Sequence, residues 1–307
     1  TKTVTAIDTL NVSLGDEFNN NVEETTKTLG SLRNILKDEK TEDTAGDFLR
    51  IGNALNVLGA SGAATAPVMA DFANRIGGVS IDLGLTTAEV LGLSATLQEL
   101  GVNQERGGTA VNSILREMTR NTDSYSKTLG INAEYLKANG IDATSYADLV
   151  KKDLAGAFEL TVKRVNEMNT SNVALSDIME KLKLSGGGEA EVFLKLASNQ
   201  GLLADKTKLA ADALKNQDSI LGEFAVKNNT LAANLEKLGN RIANAFINSA
   251  AADALSALVA GLADMVDVVV EASSEVFGMI RNALQPLIEV FQNLADELGI
   301  TFDWLEG

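Results

Sequence analysis

Ser124-Tyr-Ser-Lys127 sets a hydroxyl three residues ahead of an amine, the S-x-x-K spacing that some acyl-transfer enzymes use for a serine nucleophile. Neither an S-D-N nor a K-T-G companion occurs, so the tetrapeptide reads as part of a short helix. Ser185-Gly-Gly-Gly188 has the composition of a phosphate-cradling loop, but G-x-x-x-x-G-K-[ST] and G-x-G-x-x-G are both absent, and a helix connection is the reading. Asp264 and Asp267, and Glu271 and Glu275, place carboxylates on one helical face at i,i+3 and i,i+4. Such pairs do acid/base work only where burial and neighbours split their pKa values, and Arg281 is the sole base nearby. No calcium loop of the D-x-[DN]-x-[DN]-G type occurs. The chain has no Cys and no His, which removes thiol nucleophiles, Cys/His zinc sites and His general bases together. No catalytic, cofactor-binding or metal-ligating residue is assigned, and the chain is not read as an enzyme.

The elements that would hold such residues are helical by composition. Only 2 Pro occur in 307 residues, aromatics make up 5%, and apolar residues reach 45%, enough to bury a core. The 42 acidic residues against 26 Lys and Arg give a net charge of −16. No basic stripe exists to neutralise phosphates, so specific nucleic-acid binding is not expected. The acidity is uneven, because residues 251–307 carry one base, Arg281, against ten acids. The apolar runs Ile242–Ala252 and Ala254–Ala263 are broken by Asp253 and Asp264, well short of the roughly 20 residues that a spanning helix needs. The chain opens on Thr1 rather than Met and is expected to be a piece of a longer protein.

Along the chain, Thr3–Val12 alternates (Val4, Ala6, Leu10, Val12) and suggests a short strand. Helical spacing follows at Val22, Leu29, Leu32 and Leu36, then at Phe48, Ile51, Leu55 and Leu58, with Pro67 placed for the first turn of a new helix. Thr86 and Glu89 have capping-box spacing, ahead of Val90, Leu93, Leu97 and Leu100. Gly101 stands where a left-handed residue ends a helix, and Gly107-Gly108-Thr109 is expected to open the next, with Val111, Ile114, Leu115 and Met118 on one face. The result is a helical hairpin over residues 83–118. Similar faces recur at Val150, Leu154, Phe158, Val162 and Val165, and at Leu175, Ile178, Met179 and Leu182.

Ser185–Gly188 is the expected boundary. Beyond it, Leu231, Leu235, Leu238 and Ile242 form one coiled-coil-like seam, and Leu284, Leu287, Phe291 and Leu294 form a second. Either seam suits association between helices or packing on the chain's own domain. The fold expected is all-α, with Gly-punctuated hairpins followed by long amphipathic helices. It divides into leading helices (1–60), a helical core (61–184) and a long amphipathic region (185–307). Residues 204–245, outside the hairpin, are the stretch expected to tolerate removal by whole heptads.

The run Leu83–Gly101, followed by Val102–Met118, resembles the core of phage tail tape measure proteins. Gly84-Leu85-Thr86, Glu89, Gly101, Gly108-Thr109-Ala110, Leu115 and Met118 fall in that family's order, preceded by Gly78-Val79-Ser80. Ala232–Phe246 is similar to the amphipathic segment that follows the core, and the likeness spans roughly residues 50–270. Val111 and Ile114 stand where Leu is common. The family often carries a cell-wall hydrolase module, and nothing in this chain resembles one. The resemblance implies a helical virion protein in the lumen of the tail tube that sets tail length by its own length and assists DNA passage on ejection. Its implied partners are tail tube and tail tip or baseplate proteins, further copies of itself, and transiently the host envelope. No cofactor is implied. Two other readings of the same helices are a scaffold or interaction module without a ruler role and a membrane-perturbing helical protein.

Overall fold

The computed structural model describes residues 2–230 except 20, 38–39, 172, 185 and 200, and among these every regular element is helical, with no strand. Both seams, Leu231–Ile242 and Leu284–Leu294, lie outside the described residues. The first element corrects the sequence reading. Residues 3–12 belong to helix α1 (Lys2–Leu14), where Ala6, Leu10, Ser13 and Leu14 are buried at helical spacing and Val4 faces solvent. The apparent two-residue alternation came from residues that a helix distributes over two faces.

A 3-10 turn (Gly15–Phe18) leads to α2 (Val22–Ile35), capped by Asn21 through the Glu24 amide at 3.0 Å. Its stripe is Leu29, Leu32 and Leu36, while Val22 stays exposed. In α3 (Thr44–Ala60), Phe48, Ile51, Leu55 and Leu58 are buried as the spacing requires. Helix α4 (Ala66–Asp82) starts with Pro67 in its first turn, where the missing N–H costs nothing. The hairpin follows as α5 (Thr87–Glu99) and α6 (Gln104–Arg120). Four further helices follow, α7 (Thr122–Leu129), α8 (Ala133–Ala138), α9 (Tyr146–Lys152) and α10 (Leu154–Thr170), with α7 and α9 against α6 and α10 against both of them. Asp153 separates α9 from α10 and caps the latter through the Gly156 amide at 2.8 Å. The chain continues through α11 (Leu175–Lys181), α12 (Gly187–Ser198) and α13 (Leu202–Ala213) into a helix over residues 218–230.

One buried apolar cluster runs from Leu10 to Ile220, so helices on both sides of the expected Ser185–Gly188 boundary share a core, and Gly187 and Gly188 already belong to α12. Helix α4 touches α2, α5 and α6, and α12 lies against α6 and α10. Helix α13 crosses α5 and α3 and buries Lys206, Ala210 and Ala213. The stretch 204–245, expected to be removable, therefore contains part of this core. Its small residues, Ala210 and Ala213 among them, make a weak stripe by sequence because they fill a close helix crossing rather than a broad apolar face.

Candidate functional site

The hairpin is built by its ends. At the start of α5 the Glu89 amide donates to Thr86 Oγ1 at 3.3 Å and the Thr86 amide donates to Glu89 Oε2 at 2.7 Å, which satisfies two orphan donors of the first turn. At its end the Gly101 amide donates to the Gln98 carbonyl (2.8 Å) and the Val102 amide to the Leu97 carbonyl (2.9 Å). This paired closure needs a left-handed residue, and Gly101 supplies it at φ +66°. Leu97 and Val102 are buried together beneath it. Helix α6 opens earlier than its glycines suggest, because Asn103 Oδ1 accepts from the amides of Glu105 (3.1 Å) and Arg106 (3.2 Å). Gly107 and Gly108 lie inside the helix. A Cβ on Gly107 would run into Val102 and Phe72, and one on Gly108 would meet Arg75 Cβ at 3.0 Å. These two glycines are there for close packing, not for a break.

The outer face of α5 is a docking site for α13. A Cβ on Gly92 would lie 2.6 Å from the backbone N and Cα of Thr207, so the two helices cross almost in backbone contact. One residue away, Lys206 is buried, and its Nζ donates to Glu99 Oε1 (2.5 Å) and to Ser61 Oγ (2.9 Å). From α3, Asn53 is fully buried with both amide ends engaged. Nδ2 donates to the Ala213 carbonyl at 2.8 Å, and Oδ1 accepts from the Ile220 amide at 2.9 Å. Ser13 Oγ donates to the Ile220 carbonyl (3.0 Å) and Asn56 Nδ2 to Ser219 Oγ (3.0 Å). Lys227 Nζ reaches the Ser13 carbonyl (2.9 Å) and Asp16 (2.8 Å). Sequence reasoning missed Asn53, Glu99 and Lys206. The one visible signal was Asn53, set between Ile51 and Leu55 within the apolar stretch Phe48–Leu58.

Against this architecture, the family model for phage-related minor tail proteins matches residues 5–182, from the first turn of α1 to the residue after α11. The chain belongs to that family. It is thus a structural component of a phage tail. No curated protein and no solved structure matches the chain. The matched segment contains the hairpin, whereas the helices that close over α5 and α3, α13 and residues 218–230, follow it.

Within the tail protein the serine hydroxyls of the Ser124–Lys127 stretch are occupied structurally, while Ser185 and the carboxylates Asp264, Asp267, Glu271 and Glu275 lie outside the described residues. Ser124 Oγ donates to the Lys181 carbonyl (3.3 Å) and Ser126 Oγ to the Ile131 carbonyl (2.8 Å), both tying α7 to its neighbours. Tyr125 and Tyr146 stack 6.1 Å apart, and burial pushes both phenols up beyond the ordinary range. A cleft of about 370 Å³ is lined by Asn139, Ile141, Glu159, Lys163, Asn199 and Leu203. Burial, with Asp153 and Glu89 adding repulsion, raises the pKa of Glu159 there, while Lys163 turns to Asn139 Oδ1 at 2.8 Å. The strongest charge cluster is Asp47, fully buried between Arg33 (2.8 Å) and Arg50 (2.7 Å) and accepting from the Thr41 hydroxyl and amide. Burial pushes its carboxyl up, but the Thr41 bonds and Arg33 outweigh that and hold it below the usual carboxylate value. Among the described residues no group of acidic side chains is arranged to hold a metal ion, and no helix is long and apolar enough to cross a membrane.

Proposed function

We propose that this minor tail protein is part of a tail tape measure protein, lying in the lumen of the tail tube, setting tube length during assembly and assisting DNA passage on ejection. The observation that carries the reading is the hairpin over residues 83–118. It holds the tape-measure-like motifs, folds as capped helices, and lies in a chain of a phage tail family. In this reading the compact helices of residues 2–230 dock on tail tube and tip or baseplate proteins. The seams at Leu231–Ile242 and Leu284–Leu294 associate with further copies and carry the length, about 1.5 Å per residue where helical. Acidic residues 251–307 limit adhesion to the DNA that later uses the same lumen.

A second reading, a helical scaffold without a ruler role, is favoured by one observation. Residues 2–230 share a single core, and a globule adds far less length per residue than an extended helix. One experiment separates the two. In-frame removal of residues 242–283 deletes six heptads and sets Leu284 in the seam position of Ile242, so the register survives. The ruler reading expects tails shorter by about 60 Å, rounded to whole rings of tube subunits, in electron micrographs. Tails of unchanged length leave the scaffold reading.

A further inference from the structure

Three carboxylates stand close to the cleft beside α10, and one of them is left without a partner. Glu89 Oε2 accepts from the Thr86 amide at 2.7 Å and Asp153 Oδ1 from the Gly156 amide at 2.8 Å, so each caps a helix. Glu159, half-buried on α10, makes no hydrogen bond or ion pair among the described residues. A natural partner is in reach, because Lys163 follows at i,i+4, a spacing at which Glu and Lys attract on a helix surface. Its Nζ turns instead to Asn139 Oδ1, at 2.8 Å, just beyond the end of α8. An ammonium has three donors, and the Asn139 bond uses one of them. The raised pKa of Glu159 agrees, since it reflects burial first and then the like charge of Asp153 and Glu89, with no cation to offset them.

The cleft measures about 370 Å³, within the range of about 300–1,000 Å³ that holds small ligands. Apolar Ile141, Leu160 and Leu203 line it beside Glu159, Lys163 and Asn139. Apolar walls around an unpaired carboxylate suit a side chain with a hydrocarbon stem and a cationic head, the build of lysine and arginine. The remaining donors of Lys163 suit the main-chain carbonyl of the residue that bears such a side chain. A neutral apolar group would instead cover Glu159 and leave it unpaired, at the cost of its desolvation. With 42 acids against 26 bases, this chain mostly carries the charge that the cleft repels, so the cation is expected from a different protein. We propose that this cleft is a docking pocket for a lysine or arginine side chain of a neighbouring tail protein, with Glu159 pairing the cationic head and Lys163 holding the carbonyl of the same residue. The inference rests on the place of this chain in a phage tail and is independent of any ruler role.

The test uses the full chain at neutral pH, with the methyl resonances of Ile141 and Leu203 as reporters of the cleft. Nα-acetyl-lysine methylamide should shift both methyls in a saturable way. Nα-acetyl-norleucine methylamide, which has the same hydrocarbon stem and no charge, should shift neither. n-Butylamine keeps the cation but has no carbonyl for Lys163, and should bind more weakly than the lysine probe. Glu159→Gln should weaken binding of the lysine probe about tenfold or more, the worth of a hydrogen bond to a charged group. Lys163→Met should remove the advantage of that probe over n-butylamine. Because nothing in the free chain pairs with Glu159, Glu159→Gln should not lower the melting temperature, whereas a structural carboxylate would show a loss. Silent methyls, an equal response to the norleucine or butylamine probe, or a Glu159→Gln chain that binds as before or melts lower would overturn the proposal. Methyls that shift when the chain alone is diluted would put a second copy in the cleft and overturn it equally.

Discussion

Gly92→Ala adds one methyl group at the crossing of α5 and α13. In an exposed helix the change would stabilise by about 1 kcal/mol through helix propensity. At this position the new carbon falls 2.6 Å from the N and Cα of Thr207, whereas ordinary contact begins near 3.4 Å. The obstacle is main chain and cannot rotate aside. Helix α13 must retreat by about 0.8 Å, a gap large enough to forfeit a quarter to a half of each dispersion contact along the crossing. The same retreat stretches the Lys206–Glu99 bond and the Asn53–Ala213 bond, each worth about 1 kcal/mol or more. Overpacking and lost bonds together cost about 3 kcal/mol against a propensity gain of about 1, a net loss of about 2 kcal/mol. For a domain of this size that lowers the melting temperature by about 4–8 °C. Gly78→Ala in α4 is the matched control, because a Cβ there meets nothing within 4 Å and the propensity gain should stand alone. Thermal melts followed by circular dichroism read both variants. A Gly92→Ala protein melting at or above the unmodified chain would show that α13 does not sit against α5 as described.

Three further outcomes follow from single sites. Asp47→Asn leaves Arg33 and Arg50 without their buried carboxylate and should cost about 3 kcal/mol at neutral pH by denaturant titration. Because the folded pKa of Asp47 is depressed, its contribution is complete above the unfolded value of about 3.9 and is lost as pH falls through the folded pKa. The unmodified chain should therefore lose stability more steeply below about pH 4 than Asp47→Asn, and parallel acid limbs would contradict the assignment. Lys183 closes α11 at φ +60°, with its amide on the Glu180 carbonyl and the Leu184 amide on the Met179 carbonyl, so Lys183→Gly should stabilise by about 1 kcal/mol; a lower melting temperature would refute this. Tyr125 is fully buried and its hydroxyl has no partner among the described residues, so Tyr125→Phe should raise stability by about 1 kcal/mol, and a destabilised variant would reveal a bond that the phenol makes.

Local chemistry alone determined a good part of the protein. The Thr86–Glu89 capping box, the Gly101 closure, Pro67 in a first turn and the stripes at Phe48–Leu58 and Val150–Val165 are each decided within a few residues of chain, so spacing suffices to read them. The same locality misled where two periods compete. Val4, Ala6, Leu10 and Val12 fit a strand on paper, and burial of Ser13 and Leu14 beside Ala6 and Leu10 decides for a helix. Glycine is ambiguous in the same way. Gly101 and Gly107 are the same residue type six positions apart, yet one supplies a left-handed φ and the other makes room for Val102 and Phe72.

The all-helical class and the hairpin were thus determined by the sequence by itself, because helix initiation, termination and facing depend on neighbours within a turn or two. Which helices share a core was decided only by the tertiary structure. Residues 202–230 carry small and polar side chains that make no strong stripe, yet they close the α3–α5 groove. Their affinity for it resides in partners more than a hundred residues away, Lys206 on Glu99 and the Ala213–Ile220 turn on Asn53. A buried polar contact of that kind leaves no periodic trace in the chain, since its worth depends on water being excluded by helices that have already come together.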